Sequence, residues 1–227
     1  MALLIRRAFD LRPLVVVALI VLAAGCTRPA PAAIILATSE QESLAHYARI
    51  AEHLPGWRVV SLDLPAHGAD QRPGEAQPLV AWRARLDAGE NPVRDFTVRL
   101  SQLIDTLATD RIALVGTSRG GFMALHGMAA DPRVDAVVAF MPVTQLRTLR
   151  EFAQASTRYD ELNVAHLALR GRPIWIRVGR DDHRVSTAAA AHAAEALGAT
   201  FQITSAAGHT IAADDTRAAA EWLLRSM

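Results

Sequence analysis

Three side chains, far apart along the chain, are of types that together perform nucleophilic catalysis. Ser118 lies in Gly116-Thr117-Ser118-Arg119-Gly120, a G-x-S-x-G pattern inside "ALVGTSRGGFMALHG". A serine hydroxyl is a weak nucleophile unless a base takes its proton and a carboxylate orients that base. By composition alone, about one chain in ten of this length would carry the pattern. Its position makes it specific. An apolar run, "IALVG", precedes the serine, and a run with helical periodicity, "GFMALHGMAA", follows it. A serine held in a strained strand-to-helix turn needs neighbours without side chains, so that strand and helix can pack closely. Gly116 and Gly120 meet that need, and Gly121 extends it. The plainer alternative is a glycine-rich turn whose serine merely caps the helix.

At such a turn the partners follow later in the chain, in the order serine, carboxylate, histidine. "IWIRVGRDDHRVS" places Asp181 and Asp182 just beyond an apolar run. The frame Gly179-x-x-Asp182-x-x-Val185 selects Asp182 and leaves Asp181 to face solvent or cap the next helix. "FQITSAAGHT" places His209 after the last apolar run, preceded by small residues and followed by the final helical pattern. The other histidines are worse placed. His46, His53, His126 and His192 fall within helical patterns, His166 in an irregular stretch, and His183 beside Asp182. His67, in "DLPAHGAD", precedes the serine and is out of order for the base, although it could line the pocket.

The elements that must carry these residues alternate in type. Apolar runs at "AIILAT" (Ala33 to Thr38), "WRVVSLDL", "IALVG", "VDAVVAFMP", "PIWIRVG" and "TFQITSA" read as six strands. Between them, "SLAHYARIAEHL" (Ser43 to Leu54), "RDFTVRLSQLIDTLA", "GFMALHGMAA" and "TAAAAHAAEAL" read as helices. "DDTRAAAEWLLRS" closes the chain with Asp214 or Asp215 as its N-cap. Strands that are apolar along their whole length, alternating with amphipathic helices, predict a three-layer α/β/α sandwich around a mostly parallel sheet. Two stretches, Pro65 to Pro92 and Thr144 to Gly171, read as irregular, the second as short helices. Both follow strand C-termini, the edge where an open parallel sheet takes its ligand.

"VGTSRGG", "GRDDHRVS" and "AGHT", in this order on an alternating α/β pattern, resemble the α/β-hydrolase family, and "SLDLPAHGAD" is similar to a segment that follows its second parallel strand. The likeness extends over essentially all of residues 33–227. It is nearest to small bacterial hydrolases that resemble the catalytic domain of the prolyl-oligopeptidase group. The resemblance implies a serine hydrolase with Ser118 as nucleophile, Asp182 as acid and His209 as base, needing no metal or other cofactor. No strand pair precedes "AIILAT", so the fold is expected to lack the family's N-terminal antiparallel strands. The family's His-Gly after the first parallel strand is absent, with "LATSEQ" in its place. A tetrahedral oxyanion needs two donors. The Arg119 amide would be one, and Ser39 or Thr38 would supply the other, by amide or hydroxyl.

Composition narrows the setting. The 227 residues are 51% hydrophobic and 21% charged, a globular balance. All 24 basic residues are arginine, spread evenly with no basic stripe, which argues against nucleic acid as a partner. Near the N-terminus Arg6, Arg7 and Arg12 precede an uncharged run, Leu14 to Ala24, and then "AAGC". That order is the n-region, h-region and small-residue cleavage site of an export signal. With Cys26 at its end, it resembles a bacterial lipoprotein signal, and an uncleaved N-terminal anchor is the alternative. The expected organisation is a signal over residues 1–25, a lipidated Cys26 and tether over 26–32, and a domain over 33–227 held at the periplasmic face of a membrane. Removing residues 1–25 takes three arginines and one aspartate from 24 basic and 23 acidic residues, leaving a net charge of −1.

Arg83 and Arg85, in "WRARLDAGEN", could reach an anionic substrate group, although a solvated charged loop is the plainer reading. The Thr144 to Gly171 stretch is long enough only for a partial lid, so an open site suited to a small ester is expected. The other functional readings are a non-catalytic binding lipoprotein on the same scaffold, and a peptidase or acyltransferase using the same three residues.

Overall fold

The computed structural model of the protein describes residues 29–154 and 157–227. The expected signal, Cys26 and the start of the tether lie outside the described residues. Six strands form one sheet: β1 (Ala32–Leu36), β2 (Arg58–Ser61), β3 (Ile112–Thr117), β4 (Val134–Phe140), β5 (Ile174–Arg180) and β6 (Thr200–Ala207). Their order is β2-β1-β3-β4-β5-β6, and every pairing is parallel. All five residues of β1 are buried, and β3 and β4 are buried along almost their whole length. Apolar side chains on both sides of a strand are stable only when helices cover both faces of the sheet. The edge strand β6 is mostly exposed, with Thr204 buried and Phe201 and Ala206 half-buried, and its Ile203 faces solvent.

The helices are α1 (Glu40–Glu42), α2 (Pro78–Asp87), α3 (Pro92–Asp105), α4 (Arg119–Ala130), α5 (Thr187–Leu197) and α6 (Ala213–Ser226). α3 starts at Pro92 with Asn91 accepting from the Arg94 amide at 2.9 Å, and it buries Phe96, Leu100 and Ile104 as its spacing predicts. α6 departs from the expected cap. Its N-cap is Ala212, and Asp215 reaches back from the first turn to accept the Ala212 amide at 2.7 Å.

Two segments differ from the sequence expectation. The predicted helix over 43–54 is irregular: α1 runs into a π-helical turn, Ser43–Tyr47, and then a 3-10 turn, Ala48–His53. The buried Ser43 hydroxyl accepts the amides of Ala37 and Thr38 at 3.3 and 3.1 Å, which fixes the start of the segment to the end of β1. Ile50 and Leu54 must still reach the core, and the wider π turn absorbs the difference in register, leaving Leu44 and Tyr47 exposed. The second difference is α2, which lies inside the stretch expected to be irregular. It buries Leu79, Trp82 and Leu86 together with Arg85, so the buried face carries a charge and the apolar periodicity is broken.

The Thr144 to Gly171 stretch does consist of short 3-10 turns, at Leu146–Thr148, Arg150–Phe152, Thr157–Leu162 and Val164–His166. Leu146, Leu149, Phe152 and Val164 are buried, so it is folded into the core. The strand order reverses between β1 and β3. Their C-terminal ends, Leu36 and Thr117, therefore flank the crevice in which an open parallel sheet takes its ligand.

Candidate active site

Ser118 occupies the junction of β3 and α4 with φ 55° and ψ −116°, a conformation that side-chain-bearing residues rarely adopt. Such strain persists only where the surroundings over-determine it. Here the Ser118 amide donates to the Phe140 carbonyl at 2.9 Å, and the Ser118 carbonyl accepts from Phe122 at 3.2 Å and Val143 at 3.1 Å. The flanking glycines do the steric work read from the sequence. A methyl group on Gly120 would overlap the Leu36 carbonyl, and one on Gly116 would overlap the backbone of Gly120. α4 thus begins in direct backbone contact with the end of β1.

Asp182 follows β5 and is buried. One carboxylate oxygen, Oδ1, accepts the amides of Arg184 at 2.9 Å and Val185 at 3.2 Å. The other, Oδ2, lies 2.8 Å from His209 Nδ1. An ionised carboxylate only accepts, so this pairing places the proton on Nδ1 and leaves Nε2 as the basic nitrogen. Asp181 has φ 59° and its side chain points to solvent, as the motif frame requires. The loops that carry Asp182 and His209 touch through backbone: a methyl group on Gly179 would overlap the Gly208 carbonyl, and Gly208, with φ 68°, donates to the Arg180 carbonyl at 2.8 Å. Beyond His209 the loop is held by buried Asp215, which receives the Ala212 amide, the Thr204 hydroxyl at 3.2 Å and the Arg177 guanidinium.

Ser118 and His209 line one cleft of about 460 Å³, together with Thr38, Arg119, Leu79 and Met141. Its outer wall is made by His46, Tyr47 and Arg49 of the π and 3-10 turns. These were not legible as site residues, because nothing in a helical pattern announces that its exposed side faces the cleft of Ser118. No described residue of the Thr144 to Gly171 stretch lines the cleft. The lid expected there packs beside the site and reaches it through Glu151, which receives Arg184 Nη1 and Nη2 at 3.1 and 3.0 Å.

The remaining predicted site residues separate. Ser39 does not line the cleft, and its hydroxyl caps α1 by accepting the Glu42 amide at 3.3 Å. Thr38 does line it, with its own amide committed to Ser43 and its hydroxyl buried without a partner. The Arg119 amide, in the first turn of α4, has no intrahelical acceptor. Arg85 is not presented to the cleft: it forks onto Glu75 at 2.7 and 2.7 Å and donates to Asp70 Oδ2 at 2.6 Å. Arg83 donates to the Glu151 carbonyl at 3.0 Å and likewise does not line the cleft. His67 is buried, its Nδ1 lies 2.9 Å from the Pro65 carbonyl, and burial, aided by Arg119, holds its pKa below the usual histidine range. Among the described residues, no group of three or more His, Cys, Asp or Glu side chains converges as metal ligands would.

Comparison with known proteins agrees with the fold. The family described as alpha/beta hydrolase fold matches residues 32–156. A protein named hydrolase LUC6, from Fusarium sp, is 33% identical over 101 residues. That stretch is 44% of this chain and 23% of the relative, so the chain spans about a quarter of the relative's length. Among solved structures, TT1662 from Thermus thermophilus superposes with a TM-score of 0.66 at 19% identity, covering 88% of this chain and 90% of that one. Esterase PE8 superposes with a TM-score of 0.63 at 19% identity, covering 88% and 94%.

Proposed function

The chain belongs to the alpha/beta hydrolase fold family, and on that premise we propose that it is a serine hydrolase of small carboxylic esters. The observation that carries this reading is the strained Ser118 in the same cleft as a His209 already oriented by Asp182. In the proposed reaction Ser118 Oγ attacks the ester carbonyl while His209 Nε2 takes the hydroxyl proton. Asp182 stabilises the resulting imidazolium through Nδ1. The carbonyl oxygen becomes an oxyanion that receives the Arg119 amide and the hydroxyl of Thr38, a residue that lines the same cleft and whose hydroxyl has no partner among the described residues. Collapse expels the alcohol, protonated by His209, and leaves an acyl-Ser118. Water then attacks with His209 as base, releasing the acid and restoring the serine.

An ester is favoured over an amide because an alcohol leaves with less assistance than an amine. The size of the cleft suits a small substrate, and solved structures of the same fold include one named as an esterase. The test is turnover of p-nitrophenyl acetate and labelling by a fluorophosphonate. Ser118→Ala and His209→Ala should abolish both while circular dichroism stays unchanged. Wild-type activity in either variant would overturn the assignment, and an unlabelled wild type would leave a binding scaffold.

The setting proposed for this activity is the periplasmic face of a bacterial membrane, with Cys26 lipidated. Support comes from the order of charged run, apolar run and "AAGC". Cys26→Ser should move the protein from the membrane fraction to the soluble one. Unchanged partitioning would remove the lipid anchor from the reading.

A further inference from the structure

The cleft contains a charge that the hydrolytic scheme leaves unused. Arg119 contributes its amide to the scheme, but the residue also brings a charged side chain to the cleft it lines, half-buried next in sequence to Ser118. Its Nε donates to the Ala37 carbonyl at 3.4 Å, and among the described residues no carboxylate pairs with it. The neighbouring cations differ. Arg184 is matched by Glu151, and Arg49 is exposed at the rim. Burial draws the Arg119 pKa below the usual arginine range and outweighs the opposing pull of Tyr47, with Arg184 adding to the lowering and Glu42 and Glu151 opposing it more weakly. The group remains a cation at neutral pH.

A guanidinium taken partly out of water without an anion is a costly arrangement. Stability gains little from it here, since a single long contact to a carbonyl is its only hydrogen bond among the described residues. The sequence had suggested anion recognition by Arg83 or Arg85, and both are committed elsewhere. Of the three arginines that line the cleft, Arg119 is the one next to the serine, half-buried and with no carboxylate paired to it among the described residues.

We propose that Arg119 selects esters carrying a free carboxylate, its planar fork taking both carboxylate oxygens while the adjacent Ser118 attacks the ester carbonyl and is acylated as the alcohol leaves. The proposal rests on the hydrolase reading and names its substrate class. A planar guanidinium matches a carboxylate in geometry as well as charge, which a lysine would not.

The test uses length-matched pairs on the purified protein. p-Nitrophenyl hemiglutarate against p-nitrophenyl pentanoate places the carboxylate on the acyl side, and 4-acetoxybenzoate against 4-methylphenyl acetate places it on the alcohol side. In at least one pair, kcat/KM for the charged ester should exceed that for the neutral one by roughly 10- to 100-fold. Arg119→Gln should remove the preference and Arg119→Lys should retain part of it. Free glutarate should inhibit the wild type competitively, and inhibit Arg119→Gln more weakly. Equal rates in both pairs, or a preference that survives Arg119→Gln, would overturn the proposal. The wild-type comparison stands even where a variant does not fold. Absence of all turnover together with absence of Ser118 labelling would instead remove the hydrolase reading itself.

Discussion

His209 Nδ1 lies 2.8 Å from Asp182 Oδ2, while the second oxygen of that carboxylate is held by two backbone amides. Asp182→Asn separates these two roles. The asparagine oxygen can still accept from Arg184 and Val185, but its NH2 then faces Nδ1 and forces the proton onto Nε2. The imidazole can no longer take the serine proton. The expected outcome is a loss in kcat of roughly 10³–10⁴ with little change in melting temperature. Ester turnover beside a thermal melt checks both, and an active Asp182→Asn enzyme would remove Asp182 from the mechanism.

Gly120 meets the end of β1 with no room for a side chain. Gly120→Ala should cost about 2 kcal/mol or more through overpacking, which for a domain of this size lowers the melting temperature by about 5 °C or more. It should also reduce activity, since Ser118 and the Thr38 turn would be pushed apart. A calorimetric scan that matches wild type would contradict the close approach.

Arg85 is a clamp between Asp70 and Glu75. Arg85→Ala leaves Glu75 without its ion pair and Asp70 with Arg99 as its remaining one, with an expected loss of about 3 kcal/mol in urea unfolding. Below its new melting temperature the variant should hydrolyse a small neutral ester as wild type does. A raised KM at unchanged stability would mean that Arg85 binds substrate after all.

His126 is buried against the Phe122 ring, at 4.4 Å between centroids, and its Nε2 lies 3.1 Å from the Leu162 carbonyl. Burial lowers its pKa from 6.5 to about 4. Between these values the unfolded chain binds a proton that the folded chain refuses, so stability falls as the pH drops from 6.5 towards 4, by about 3 kcal/mol at most. Glu75 and Asp131, hydrogen-bonded to Arg85 and Arg133 and held at about 2, lose their contributions only at lower pH. His126→Leu should flatten the decline between pH 6.5 and 4.5 in urea midpoints, and an unchanged decline would assign it to other groups.

What the sequence made legible follows from how each feature is encoded. β1, β3, β4 and β5 were readable because strands buried on both faces must be apolar throughout, as "AIILAT" and "IALVG" are. Asp182 and His209 were readable because each stands at a strand end in a fixed chain order. α2 was missed because Arg85, charged yet buried, breaks the periodicity that marks a helix, although Pro78 marks its first turn. The helix expected over 43–54 was too regular, since the pull of the Ser43 hydroxyl on the end of β1 comes from tertiary contact. The Arg119 side chain was hidden for a different reason. It fills a variable position of a motif whose other residues explain themselves.

Arg184 is joined to two parts of the molecule at once. Its amide holds Asp182, and its side chain is gripped by Glu151 from the segment folded beside the site. In scaffolds that diversify by changing loops, such a segment is treated as an exchangeable module. Modularity ends here at Glu151. A graft that omits it would release Arg184 and disturb Asp182 without touching the loops that carry Asp182 and His209, whereas a graft that keeps a glutamate in that position would inherit their alignment.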